Sequence, residues 1–199
     1  MREKLASKTK NTMAYQFKIK LEGTSKPQVW RCLLVPERYT FAQLHMAIQG
    51  AFGWENAHLF RFHDGYDGNL SISIPFDDGF GDSPDEGAGK IKINKIFSAE
   101  KQQLRYEYEF GDSWEHTLTL EKITDDKITQ ARCLAGKGAC PPEDCGGIPG
   151  YYMLVATVND PEHEEYEDMR EWMGMEDDED WDVNYFDLEE TNARLQAYL

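Results

Sequence analysis

Seven residues able to do chemistry, Asp112, His116, Cys133, Cys140, Glu143, Asp144 and Cys145, fall within one short span of the chain. All but Cys133 lie in two stretches, YEYEFGDSWEHTLTL at 106–120 and ACPPEDCGG at 139–147. A hydrolase reading has Asp112 or Glu109 orient His116 as a base. Cys140 or Cys145 is then the nucleophile, which requires a cationic or helix N-terminal setting to form the thiolate. A metal reading gathers Cys133, Cys140, Cys145 and His116 into a tetrahedral zinc site. Their spacings, six and then four intervening residues, are looser than paired CxxC knuckles. Each group also has a plainer role. Free cysteines pack as small apolar residues, Asp112 suits a Gly-Asp-Ser turn, and His116 shares a strand face with Trp114, Leu118 and Leu120, which turns it inward.

The 140–147 loop reads as preformed. Pro141 and Pro142 restrict φ and push Cys140 toward an extended conformation, while Gly146 and Gly147 permit conformations closed to other residues. Glu143 and Asp144 either match the positive end of the following helix or are presented to a ligand with the free amides at that helix start. The candidate ligand-binding residues are therefore Cys140, Glu143, Asp144, Cys145, Gly146 and Gly147, beside a groove against the 111–116 hairpin end. His45, His58 and His63 are further imidazoles near the first helix; His45 lies on a mixed helix face and His58 suits a packing corner with Trp54. Trp30-Arg31 reads as an inward indole and an outward cation facing an acidic helix at 162–171.

Alternation supplies the elements that must position these groups. Tyr15, Phe17, Ile19 and Leu21 mark a first strand and VWRCLLV, 29–35, a second. Thr40 caps a helix carrying Phe41, Leu44, Ile48 and Phe52 and stopping at Gly53. HLFRFH and LSISIP read as strands, and DDGFGDSPDEGAGK, 77–90, as a flexible acidic loop. Leu104 to Phe110 and Trp114 to Leu120 form a hairpin about Gly111-Asp112-Ser113. Helices follow at 151–158, at 162–173 with Asp160 as cap and Pro161 first, and from Asp187, paired with Glu190. An acidic linker, 175–182, surrounds Trp181. Strands early and helices late predict an α+β fold: a largely antiparallel sheet with one early helix and a C-terminal helical segment packed on it.

At 199 residues and 40% hydrophobic content the chain suits one domain, 13–199, behind a flexible basic arm, 1–12. A net charge of -16 disfavours direct DNA binding, so an unknown protein partner is expected before nucleic acid. No apolar run approaches the ~20 residues that span a bilayer, which predicts no membrane and a cytoplasmic location. Four cysteines are too few for a disulfide scaffold.

The segments WRCLLVP, LHMAIQGAFGWENAHLFRF, YEYEFGDSWEH, CLAGKGACPPEDCGGIPGYYMLV and EEYEDMREWMG, in this order, resemble the plasmid pRiA4b ORF-three-like family across about Met13 to Leu195. The family's YDFGD stands here as Tyr108-Glu109-Phe110-Gly111-Asp112, with one added methylene. That family includes insertion-sequence passenger proteins labelled resolvase-like, yet no serine nucleophile with a set of activating arginines is present. The resemblance implies a binding or accessory role connected with plasmids or mobile elements and carries no established activity. Two alternatives stand beside it: a hydrolase using Asp112, His116 and a cysteine or metal from the 133–147 loop, and an acidic mimic of nucleic acid. No cofactor motif is found, and zinc is the one cofactor under consideration.

Overall fold

The alternating stretch at the start builds β1 (Ala14–Leu21), whose Tyr15, Phe17, Ile19 and Leu21 are all buried. The computed structural model describes residues 13–74, 86–176 and 179–199. The arm read over 1–12, the part of the acidic loop at 77–85 and residues 177 and 178 of the acidic linker lie outside the described residues. After β1 come β2 (Trp30–Pro36), α1 (Phe41–Phe52), β3 (Phe60–His63), β4 (Ser71–Ser73), β5 (Glu86–Gly87), β6 (Gln103–Tyr108), β7 (Trp114–Thr124) and β8 (Arg132–Lys137). Three helices end the chain: α2 (Gly147–Val158), α3 (Tyr166–Met173) and α4 (Leu188–Tyr198).

The strands form one sheet in the order β5-β4-β3-β6-β7-β1-β2-β8, antiparallel except for the two-residue β5 beside β4. The fold is α+β. Thr40 caps α1 in a reciprocal box with Gln43, and Gly53 stops it in the left-handed region. The buried face of α1 lies on Phe17, Leu33, Phe62, Tyr106 and Leu118, the inner face of the sheet. Asp187 caps α4 through Glu190 N, and α4 packs on α1 closely enough that a Cβ on Gly50 would meet Leu195 Cα at 3.1 Å. Among the described residues no helix is long and apolar enough to cross a membrane.

Four local expectations are corrected. Arg31, not Trp30, faces inward, and among the described residues it pairs with no carboxylate. Its Nε donates to Ala51 O (3.0 Å), Nη1 to Trp30 O and Lys137 O (2.9 and 3.0 Å) and Nη2 to Gly138 O (3.1 Å). Phe52 and Phe186 cover the guanidinium on either side. Cys133 sits on β8, where a loop was expected; Asn192 of α4 accepts from Cys133 N and donates to Cys133 O. The third helix starts at Tyr166, because Asp160 accepts from Glu162 N and closes a local turn in place of a cap. The second starts at Gly147, inside the glycine pair.

The Arg31 contacts bind the end of α1 to the end of β8. Replacing Arg31 by Met leaves these carbonyls without a donor at a cost of about 3–5 kcal/mol, and Arg31→Lys recovers less than half, because an ammonium lacks the planar fork. Urea unfolding midpoints measure both; a loss under 1 kcal/mol for the Met variant would refute the account.

Candidate functional site

The end of α1, the start of β3, the β6–β7 turn, the loop after β8 and the start of α2 converge at one end of the sheet. Aromatic packing brings them there. Trp54 stacks on Tyr108 (5.0 Å between ring centres), lies beside Trp114 and donates its Nε1 to Pro141 O (2.9 Å). The hydroxyl of Tyr108 accepts from Ala57 N and His58 N and donates to Glu143 Oε1 (2.5 Å). Glu143 Oε1 also accepts from Glu55 N.

Asp112 in the turn accepts from Gly146 N with its Oδ2 (2.9 Å). The carboxylate at the start of α2 is thus Asp112, not the expected Glu143 or Asp144. Gly146 and Gly147 have φ of 89° and 67°, and a Cβ on Gly147 would lie 2.5 Å from Asp112 O. Glycine lets loop and hairpin touch. The groove expected between them is therefore closed, and the open space lies beyond the loop. A cleft of about 320 Å³ runs along Gly53, Trp54, Glu55, Pro142, Glu143, Asp144, Trp172 and Met173. A second of about 450 Å³ lies between α2 and α3, on Met153, Leu154, Met169 and Trp172, with Asp144, Cys145, Glu165 and Asp168 beside them.

His58, Glu109 and Asp144 meet at this junction. His58 Nε2 lies 3.9 Å from Glu109 Oε1 and 3.5 Å from Asp144 Oδ1, and this nitrogen is buried without a hydrogen-bond partner among the described residues. Glu109 Oε2 accepts from Trp114 Nε1 (3.1 Å). Burial, and then Asp112, raise the Glu109 carboxyl above the ordinary range. Glu109 and Asp144 both have left-handed backbones, φ 55° and 59°, as do Asn56 (59°) and Ser113 (53°) at the same end. Non-glycine residues rarely adopt that conformation, and such residues cluster at sites that must aim a side chain. Periodicity gives no sign of this trio, since His58 suits a packing corner and Glu109 an outward strand position.

The hydrolase and zinc constellations read from sequence do not assemble. His116 is fully buried between Phe52 and Trp54 in edge contact, its Nδ1 donates to Trp114 O (2.8 Å), and its Nε2 has no hydrogen-bond partner among the described residues. Neither Asp112 nor Glu109 orients it. Cys133 donates its thiol to Ala135 O, and burial pushes the thiols of Cys140 and Cys145 up to about 12, the opposite of activation. The described residues hold two groups with metal-ligand proximity, His58 with Glu109 and Asp144, and His63 with Glu107 and Glu115. Cys133, Cys140, Cys145 and His116 belong to neither. Of the six loop residues read as ligand-binding, Asp144 and Cys145 line the larger cleft, Glu143 and Asp144 line the smaller, Cys140 lines a third of about 390 Å³ beside Arg31 and Phe186, and Gly146 and Gly147 serve turning.

His45 is the other buried imidazole. Its Nε2 bonds Asn56 Oδ1 (2.6 Å), and its Nδ1 accepts from Tyr106 Oη (2.8 Å), which accepts from Gln49 Nε2. Burial pushes both His45 and His116 down to about 4 from the ordinary 6.5. Between these values the unfolded chain binds more protons than the folded one. Stability therefore falls as pH drops from about 6.5 toward 4, by at most about 1.4 kcal/mol per pH unit for each ring. His116→Phe keeps the aromatic packing and flattens this acid limb by about 1 kcal/mol per pH unit, read from urea unfolding at pH 6 and pH 4.5; equal slopes in both proteins would refute it.

The chain is 31% identical over 173 residues to the uncharacterized protein y4hQ of Sinorhizobium fredii, covering 86% of this chain and 87% of that one. The crystal structure of a protein of unknown function from Methanosarcina mazei Go1 superposes with a TM-score of 0.76 at 38% identity, over 89% of this chain and 97% of the other. The model of the plasmid pRiA4b ORF-3-like proteins matches residues 13–190, which include the hairpin, the proline-cysteine loop and the His58 junction. The chain belongs to the plasmid pRiA4b ORF-3-like protein family.

Proposed function

We propose that this chain is a cytoplasmic accessory module that binds a protein partner, taking a basic amphipathic segment into the groove between α2 and α3. One observation carries the reading: Met153 is 69% and Trp172 52% exposed at the same groove. Large apolar side chains left open together mark interaction sites, and methionine adapts its shape to what it meets. Glu165 and Asp168 line the groove from α3 and its N-terminal side, Asp144 from the loop. That pattern of apolar floor and anionic rim is complementary to a helix with one leucine-rich and one lysine-rich face. The family takes its description from a plasmid reading frame, which supports a role attached to plasmids or other mobile elements, and the charge of -16 supports a protein partner ahead of DNA.

An 18-residue helical peptide of leucine and lysine tests the proposal against its leucine-glutamate counterpart, with affinities from fluorescence anisotropy of the labelled peptides. The basic peptide should bind and the acidic one should not. The double variant Met153→Ala, Trp172→Ala should weaken binding at least tenfold while keeping every carboxylate of the rim, a change of about 1.4 kcal/mol. Equal affinity of wild type and double variant would show mere attraction between opposite charges and overturn the groove assignment.

A further inference from the structure

The face of the sheet turned away from α1 carries a second group of polar residues, at the same end but on three adjacent strands. Glu107 of β6 and Glu115 of β7 stand directly opposite each other, a like-charge pair that is unfavourable by itself. Arg61 of β3, opposite Glu107, donates Nη2 to Glu107 Oε2 (2.7 Å). Ser113 Oγ donates to Glu107 Oε1 (3.2 Å), and Tyr66 Oη donates to Glu115 Oε1 (2.5 Å). One guanidinium against two carboxylates leaves an excess negative charge.

His63, the next residue of β3 on that face, is the unexplained member. Its side chain is 4% exposed, and its Nε2 is buried with no hydrogen-bond partner among the described residues. That nitrogen points at Glu115 Oε1 from 3.8 Å, too far for a hydrogen bond. A buried polar atom left unpaired is destabilising. The ligand atoms of His63, Glu107 and Glu115 all lie within 4.8 Å of one another. Two ligands of a tetrahedral ion at about 2.1 Å each stand about 3.4 Å apart, so a small contraction of this trio closes it on a metal.

We propose that His63, Glu107 and Glu115 bind one first-row divalent cation, Zn²⁺ being the best match. An imidazole with two carboxylates suits such ions, whereas Ca²⁺ takes six to eight oxygens. The three ligands sit on hydrogen-bonded strands, and Arg61, Ser113 and Tyr66 already hold the carboxylates, the outer-shell support that metal sites use. Three protein ligands leave the fourth position open to water or to a donor atom of a bound molecule. His58, Glu109 and Asp144 form the competing trio, but Asp144 is 70% and His58 27% exposed, so that site is less fixed.

Titration of the full-length protein with Co²⁺, followed by its visible absorption bands and displaced by Zn²⁺, tests the assignment. Wild type should bind one equivalent at this site without the intense near-ultraviolet absorption of a thiolate ligand. His63→Ala and Glu115→Gln should each weaken binding at least tenfold, and His58→Ala should leave it unchanged. Glu115 is partly exposed and its Gln variant keeps the shape, so it reads the site even where His63→Ala fails to fold. No Co²⁺ binding by wild type, undiminished binding by Glu115→Gln, or loss in His58→Ala instead would each overturn the proposal.

Discussion

The guanidinium of Arg31 is the contact on which the functional end of the molecule rests. Among the described residues no carboxylate pairs with it, and it is held by backbone carbonyls at the end of α1, in β2 and at the end of β8. Those carbonyls are where a helix and a strand run out of partners of their own. Arg31 therefore ends two elements at once and fixes the distance between them. Trp54, three residues beyond Ala51, and Pro141, three beyond Gly138, are then close enough for the indole to bond the proline carbonyl. Arg170 repeats the device in α3, donating to carbonyls of Val158, Glu176 and Glu179. In a strongly acidic chain, reserving cations for carbonyls leaves carboxylates available elsewhere.

Those carboxylates are divided by depth. Glu143, Glu109 and Asp112 each take a hydrogen bond that joins two segments: tyrosine to loop, indole to hairpin, turn to helix amide. Their chemistry is spent on position. Asp144 reaches solvent at the groove, and the carboxylates of α3 stand at its edge. The concentration of polar groups that marks this region is thus two populations, one that builds the corner and one that faces whatever approaches it.

Much of this was legible in the sequence, and the failures have physical causes. The first strand, the capped first helix, the aromatic hairpin and the last helix each repeat at their own period with a cap or turn residue at the boundary, so pattern suffices. VWRCLLV is apolar nearly throughout, and alternation then has no polar face to fix; the choice between Trp30 and Arg31 was made by carbonyls distant in sequence. In β8, Ala135 and Gly136 offer no strand signal, and Gly136 is small because the Phe186 ring lies against it. The candidate site was legible as a neighbourhood but not as a constellation. The hairpin and loop do meet, yet the His58 trio depends on left-handed backbones at Glu109 and Asp144, which no side-chain pattern announces. His116 was correctly read as inward, and that same burial removes it from chemistry.

The amide of Asn192 gives the β8 edge of the sheet a property of its own. By taking both the N–H and the C=O of Cys133, one side chain imitates the backbone of a neighbouring strand and occupies the place where another chain would begin to pair. An open edge on a sheet this wide is a template for self-association, and proteins commonly blunt it with charge, proline or a bulge. Here a C-terminal helix carries the stopper. Fraying of α4 would therefore do more than expose the α1 surface: it would uncover a strand edge, turning a local loss of order into a route to aggregation.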